Sequence, residues 1–522
     1  MPEAKLSSTT PQAQTGTDVY AIHGAEPEVQ AYAMAKYSRS SLSMRESLQE
    51  INGQKAEKFL NTFYFQYGHR SIADLAHVAF AVEKLSLLAA IILEDEQRWD
   101  GQERSTRYQD FSHPDYYTPD FGNDALADQY RHTIAFLFGE YRALSDAMFN
   151  RLSERTPKPA EMKQDQYERT MRARAFDIAR YLLPLATNTS LGQIVNARTL
   201  ETQISRLLSH PQSEIRRLGK KLRDAAKSPA YDVNHAAWRK LVDRIVALDE
   251  NLGNEAANAF LKEVRPSPTL VKYAEPNAYA ISASAELASA ASEIMGDVEI
   301  DPAPLVDLLD DEPIEIEIAT TLLYEHSHHP YRQVRRRIEG LSASERQNIV
   351  ELGTKDRGRH DELLRAFCAG QRIRFDILMD IGGFRDMHRH RRCTQLHQGF
   401  TFAHGFDTPD DVAESEFADR YAAAMQRASA AAQQITVPQS ERGGQALDAL
   451  YLMPLAYRKR TLFKMDFAEA VYISELRTTP AGHFSYRRVA WEMYRVIAER
   501  HPELASLFRV HDPNEPVDLL QR

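Results

Sequence analysis

Residues 95–108 read Asp95-Glu96-Gln97-Arg98-Trp99-Asp100-Gly101-Gln102-Glu103-Arg104-Ser105-Thr106-Arg107-Tyr108, and the fold is decided by setting them beside residues 389–402, Arg389-His390-Arg391-Arg392-Cys393-Thr394-Gln395-Leu396-His397-Gln398-Gly399-Phe400-Thr401-Phe402. In the first stretch Glu103, Ser105 and Arg107 alternate, so an extended backbone would turn a carboxylate, a hydroxyl and a guanidinium toward one ligand. A guanidinium grips phosphate oxygens through two parallel N–H donors, and a serine hydroxyl adds another donor. The second stretch concentrates two guanidinium groups and an imidazole in Arg389-His390-Arg391, a set suited to an anionic ligand. A solvated charged turn and a surface cluster are the ordinary readings of such segments taken singly.

The two stretches lie 294 positions apart, and other segments repeat at nearby offsets. Glu26-Pro27, followed by Val29, Ala33 and Tyr37, matches Glu312-Pro313, followed by Glu315, Ala319 and Leu323, 286 positions on. Ala179-Arg180-Tyr181-Leu182-Leu183-Pro184 matches Ala449-Leu450-Tyr451-Leu452-Met453-Pro454, 270 positions on. Small insertions therefore separate two tandem copies. Residues 1–17, rich in Ser, Thr, Pro and Gln, read as a disordered leader. The first domain is expected over 18–280 and the second over 281–522, with Pro266, Pro268 and Pro276 punctuating the end of the first. Helical spacing marks Thr199 to Ala226, Ala236 to Val264 and Phe467 to Glu475. The apolar run from Val82 to Leu93 reads as a buried helix, with a buried strand as its rival.

A formal net charge of -10 argues against a general nucleic-acid surface. Neither a long apolar span nor a signal-like start is found, so no membrane partner and a cytoplasmic location are expected. Two cysteines, Cys368 and Cys393, exclude a disulfide framework and a cysteine-based zinc site. The histidines at 326, 328, 329, 388, 390, 397 and 404 raise a metal alternative, with His326 and His328 as ligands on a strand. They lack the fixed helical spacing of a zinc motif and read as surface histidines, so no metal site is expected. Arg332, Arg335, Arg336 and Arg337 read as a helix face.

Both motif stretches resemble the signature RHRxxSxNExSxRY of the flavin-dependent thymidylate synthases. The first lacks the RHR head and keeps the Glu-x-Ser-x-Arg-Tyr tail of Glu103 to Tyr108; the second keeps Arg389-His390-Arg391 and lacks the tail. Gly68-His69-Arg70-Ser71-Ile72-Ala73-Asp74-Leu75 is similar to the family's GHxSxxEH segment, with Asp for Glu and Leu for the second His. Asn196-Ala197-Arg198-Thr199-Leu200, Arg206 and Ser209-His210-Pro211 resemble its later conserved block. The family builds its site between subunits, so two complementary halves in one chain imply a composite site.

The resemblance implies a helix-rich α+β fold of two tandem domains, the first the nucleotide half and the second the flavin half. It assigns dUMP to Glu103, Ser105, Arg107, Arg180 and Arg206, and FAD to Arg389, His390, Arg391, Asn196 and His210. Ser105 and Arg206 would stand at the reacting pyrimidine, Ser105 as a polar ligand rather than a nucleophile. The implied activity is a methyltransferase-class reductive methylation of dUMP to dTMP, with methylenetetrahydrofolate and NADPH as co-substrates and no cysteine nucleophile. The implied assembly is a homodimer making a pseudo-tetramer. Two alternatives stand beside it: a related flavin enzyme acting on another nucleotide, and a non-catalytic flavin- or nucleotide-binding scaffold.

Overall fold

The computed structural model describes residues 20, 22, 24–36, 43–50, 60, 70–272, 274–309, 314–358, 364–367, 373–441, 446–502, 505 and 508–520. The expected leader, Gly68-His69, Glu312-Pro313, Tyr37, the 359–362 part of the second copy's counterpart to the Gly-His segment, and Cys368 fall outside the described residues.

The chain forms two compact units, one of residues 1–76 with 228–270, the other of residues 77–227 with 271–522. The first unit contains the helices Pro27–Lys36, Met44–Glu50, His235–Leu248 and Glu250–Phe260. Its small core packs Val29, Ala33 and Met44 with Tyr20, Ile22 and Leu48. There the buried carboxylate of Glu28 accepts from the backbone N–H groups of Thr269 and Leu270 at 2.8 and 2.7 Å. Such charge-assisted bonds offset the cost of burying a carboxylate.

The second unit repeats one pattern of strand, short helix, strand, long excursion, strand and helix. The first copy runs β1 (His77–Ser86), α1 (Leu87–Glu94), β2 (Asp100–Glu103), β3 (Asn188–Asn196) and α2 (Ala197–Leu208). After β4 (Val306–Leu308), the second runs β5 (Ile373–Asp380), α3 (Ile381–Met387), β6 (Thr394–His397), β7 (Arg458–Met465) and α4 (Phe467–Thr478), followed by α5 (Phe484–Arg500). The sheets are antiparallel, in the order β1-β3-β2 and β4-β5-β7-β6, so the third strand of each copy lies between its first two. β2 to β6 is the offset of 294 read from the motif, and α2 to α4 is the offset of 270 read from the Pro184 and Pro454 segments. The long helices Asp124–Arg155 and Gln164–Ala179 fill the first copy's excursion.

The apolar run from Val82 to Leu93 is neither all helix nor all strand. β1 carries it to Ser86, whose hydroxyl accepts from Ala89 N–H at 2.9 Å and caps α1. A serine at this position satisfies a donor that the first helical turn leaves free. The same switch recurs 294 positions on, where Asp380 accepts from Gly383 N–H at 2.6 Å at the start of α3. Asn196 and Asp466, 270 positions apart, cap α2 and α4 in the same way. In β1 the register slips between Glu83 and Leu85 and Lys84 takes a φ of 57°, a bulge that breaks the period-two pattern of burial.

The copies join through reciprocal backbone hydrogen bonds. Leu185 N–H donates to Met453 O at 2.9 Å and Leu455 N–H to Leu183 O at 3.0 Å, while Ala186 N–H donates to Tyr451 O and Ala456 N–H to Tyr181 O. Each bond is the image of another under the 270-residue offset, which is the signature of a two-fold, isologous contact built into one chain. The principal core crosses this seam, with Tyr130, Leu144, Tyr181 and Leu183 of one copy in the same cluster as Phe375, Tyr421, Tyr451 and Met493 of the other.

Candidate functional site

The tail of the first motif meets the segment leading to the head of the second. Arg385, on α3, donates from Nη2 to Glu103 Oε2 at 2.5 Å and from Nη1 to Thr106 Oγ1 at 3.2 Å. Arg391 lies over the Trp99 indole, 5.3 Å from its ring centroid, and Trp99 Nε1 donates to Gln193 Oε1 at 2.8 Å. Gly101 makes room for this ring, because a Cβ there would lie 2.5 Å from both the indole and Gly192 O. The two motif halves thus come together within a single chain.

This meeting place buries charge without fully satisfying it. Glu94, at the end of α1, is pushed up to about 7 by burial and by Glu103, with Arg385, Arg389 and Arg391 pulling the other way. Glu94 Oε1, Glu103 Oε1, Arg385 Nε and Arg391 Nη2 are buried and have no hydrogen-bond partner. Buried polar atoms without partners are rare in folded proteins, and several in one neighbourhood make it a candidate ligand site. Glu94 carries no motif signal; its one trace in the sequence is a carboxylate ending an otherwise apolar helix.

The expected nucleotide residues divide. Glu103, Ser105 and Arg107 do not share one open face, because the chain turns after Ser105, whose hydroxyl accepts from Arg107 N–H at 3.2 Å. Arg107 is buried and forks onto Asp177 at 2.6 and 3.2 Å, with further bonds to Tyr486 Oη and Ala481 O. Arg180 is 2 % exposed, with both Nη atoms about 3.4–3.5 Å from Asp386 and its Nε unpartnered. Burial acts to raise Asp386, yet Arg180 and Arg107 hold it below the usual carboxylate range. Arg206 lies apart from these, bound to Glu96 Oε1 through Nε and Nη2 at 3.0 and 2.7 Å.

Of the expected flavin residues, His390 accepts at Nε2 from Arg477 Nε at 2.8 Å, and burial lowers its pKa. Arg389 is half-buried beside Glu94. Asn196 is the cap of α2, as its counterpart Asp466 caps α4. His210 accepts at Nδ1 from Gln212 N–H at 3.2 Å and is held neutral by burial, which presses it down to about 4. Arg206 and His210 belong to the end of the first copy nearest Glu96, the residue that stands where His390 stands in the second.

The seven histidines are not surface groups: His329, His388, His390 and His404 are buried and His326, His328 and His397 half-buried. His326 lies in a turn and His328 beyond it in irregular chain, so the strand expected there does not form. Arg332, Arg335, Arg336 and Arg337 do lie on a helix, Tyr331–Glu339.

Residues 21–230 and again residues 305–503 match the family described as thymidylate synthase complementing protein. The chain belongs to that family, as a tandem duplication. Relatives of similar length are a UPF0159 protein of Chlamydia pneumoniae, 26% identical over 96% of this chain and 93% of its own, and one of Thermoplasma acidophilum, 25% identical over 92% and 95%. Among solved structures, the flavin-dependent thymidylate synthase ThyX of Helicobacter pylori, complexed with FAD and dUMP, is 17% identical, with a TM-score of 0.27 over 38% of this chain and 89% of its own. The UMP/dUMP methylase PolB of Streptomyces cacaoi is 18% identical, with a TM-score of 0.28 over 45% and 90%. The assignment to the thymidylate synthase complementing family rests on the two tandem matches.

Among the described residues no helix is long and apolar enough to cross a membrane.

Proposed function

We propose that the meeting place of Glu94, Trp99, Glu103, Arg385, Arg389 and Arg391 binds FAD beside dUMP, and that the protein is an enzyme converting dUMP to dTMP with methylenetetrahydrofolate and NADPH. The observation that carries this reading is the set of buried, unpartnered atoms Glu94 Oε1, Glu103 Oε1, Arg385 Nε and Arg391 Nη2 where the two motif halves join. Their chemistry fits the groups implied. Arginine donors suit a pyrophosphate or phosphate, and carboxylate oxygens suit the N–H edges of a pyrimidine or a flavin ring. When bound, the flavin would supply the hydride, taken from NADPH, that accompanies transfer of the one-carbon unit.

The chain's own groups position and polarise. Trp99 offers a face on which Arg391 and a planar ring can stack. Glu94, near 7, can hold or release a proton at Oε1 under ordinary conditions, the condition for general acid or base work. Arg180 offers a buried donor at Nε. Arg107 enters as a nucleotide ligand only by exchanging part of its bond to Asp177, which supports a positioning role in the ligand-free protein. Ser105 remains a polar ligand and Arg206 a base contact in this reading, as Asn196 and His210 remain flavin contacts. The halves 18–280 and 281–522 would act as one pseudo-dimer, and two chains as a pseudo-tetramer. A cytoplasmic setting keeps the Cys393 thiol reduced.

The test is to purify the protein, record flavin absorbance near about 450 nm, titrate dUMP, then add NADPH and methylenetetrahydrofolate and assay dTMP. Formation of dTMP supports the proposal. Tight flavin and dUMP binding without product favours a related flavin enzyme, a reading to which the occupied Arg107 lends weight. Absence of flavin binding overturns both.

A further inference from the structure

We propose that Asp95, His388 and His397 form a binding site for one divalent transition-metal ion of the Zn2+ or Co2+ kind. The three residues stand where the two-fold relation between the copies places the counterparts of Arg389, Glu94 and Glu103. The 294-residue offset pairs Asp95 with Arg389, Glu94 with His388, and Glu103 with His397. One composite place therefore has two carboxylates near an arginine, and the other has two imidazoles near a carboxylate. The second arrangement exchanges an arginine and two carboxylates for a carboxylate and two imidazoles, three standard ligands for a metal.

The geometry fits. His397 Nε2 lies 3.4 Å and His388 Nε2 3.9 Å from Asp95 Oδ1, and ligand atoms of the three residues all lie within 4.8 Å of one another. Metal–nitrogen bonds of about 2.0–2.1 Å in a tetrahedron put neighbouring ligand atoms about 3.3 Å apart. The shortest separation, 3.4 Å, already matches that spacing, and the others must close by up to about 1.5 Å.

The ligand atoms are also presented correctly. Gln395 donates from Nε2 to His390 O at 2.8 Å, which turns its Oε1 to His388 Nδ1 at 2.9 Å. His388 is thereby the tautomer with the proton on Nδ1 and a lone pair on Nε2, the arrangement that an outer hydrogen bond imposes on metal-binding histidines. Arg391 Nη1 meets that lone pair at 3.4 Å, a long contact that a bound ion would replace. His397 is half-buried, but both its ring nitrogens are buried and neither has a hydrogen-bond partner. Arg365 Nη1 donates to Asp95 Oδ1 at 2.6 Å. That guanidinium fixes the carboxylate as an outer partner would and leaves the second lone pair of Oδ1 for the ion. Asp95 and His388 both border a small cleft, so a fourth position is open to water or to a ligand.

The test uses the full chain, stripped with chelator and titrated with Co2+ by calorimetry and visible absorption. One saturable equivalent per chain is expected, with intensified d–d absorption and displacement by Zn2+. His397→Gln should weaken binding about tenfold or more while leaving the melting temperature and flavin absorbance unchanged, because His397 makes no hydrogen bond whose loss would unfold the protein. Asp95→Asn is the second variant and should weaken Co2+ to a similar extent. No saturable binding, or equal affinity in wild type and both variants, overturns the site. Flavin absorbance, read on the same samples without metal, keeps failure of this inference separate from failure of the flavin reading.

Discussion

Arg385 reaches Glu103 across 282 positions of sequence and binds it at 2.5 Å, so a residue of the second copy holds the tail of the first copy's motif. The side chains are 10 % and 5 % exposed. Removing one partner of a buried pair strands the other charge and costs about 3–5 kcal/mol. Arg385→Met and Glu103→Gln should each lower the denaturant midpoint, and the double variant should lose less than the sum of the two. Additive losses would show that the pair is not coupled in solution.

The folded state holds the Glu94 carboxyl near 7 against an ordinary value of 4.5. The folded protein therefore binds this proton more tightly than the unfolded chain. The stabilisation is complete below about 4.5 and is lost as pH rises toward about 7. Other buried carboxyls shift in the same direction, Asp380 to about 6 and Glu325 to about 7, so the difference from Glu94→Gln isolates the effect. Unfolding midpoints across that range should show wild type losing ground to Glu94→Gln as pH rises. A parallel pair of curves would refute it.

Much of this was legible in sequence because repetition leaves offsets that survive when side chains diverge. The offsets of 294 and 270 reappear as matched strands, helices and caps. Period alone failed between Val82 and Leu93, where a serine cap converts strand to helix inside one apolar run. The resemblance pointed to Glu103, Arg107 and Arg180 but could not say which polar partners they meet, since Arg385, Asp177 and Asp386 are remote from them in sequence and outside the pattern. Glu94 carried no signal, and His388 and His397 stood among seven histidines with nothing in the sequence to join them to Asp95. Their meaning comes from a two-fold contact that sequence implies but does not place.

Cys393 is buried, and burial pushes its thiol up to about 12. Since the thiolate is the reactive form, this residue should be inert at neutral pH. Mass spectrometry after iodoacetamide treatment of the native protein should find Cys393 unmodified, with labelling only after denaturation. Cys393→Ala should retain any dUMP methylation. Rapid native labelling would contradict the buried setting.

Asn196 separates two roles that one substitution can confuse. Its side chain accepts from Thr199 N–H at 2.8 Å, the bond that Asp466 makes with Glu469 N–H in the other copy. Asn196→Ala should cost about 1 kcal/mol through loss of the cap, and Asn196→Asp should keep the cap and the stability. If Asn196 also touches flavin through its amide N–H, the aspartate variant will keep its melting temperature and bind flavin more weakly. Unchanged flavin absorbance in Asn196→Asp would leave the cap as its whole role.

Trp99 and Arg391 give the most direct reading of the composite site, because one comes from each motif copy and they stack at 5.3 Å. A cation over an indole is worth about 0.5–2 kcal/mol, the upper end when desolvated. Trp99→Leu removes the ring, and Arg391→Ala removes the cation together with its buried Nη2 donor. Both should weaken flavin retention, Arg391→Ala more strongly, because only it also removes a donor left without a protein partner. Equilibrium dialysis of FAD against each variant gives the ratio directly, and the part of the wild-type tryptophan quenching by flavin that Trp99→Leu abolishes gives an independent signal. Retention unchanged in Arg391→Ala, with quenching intact, would place the flavin on the tryptophan without the motif's arginine. That outcome would break the link between the surviving head of the second copy and the cofactor.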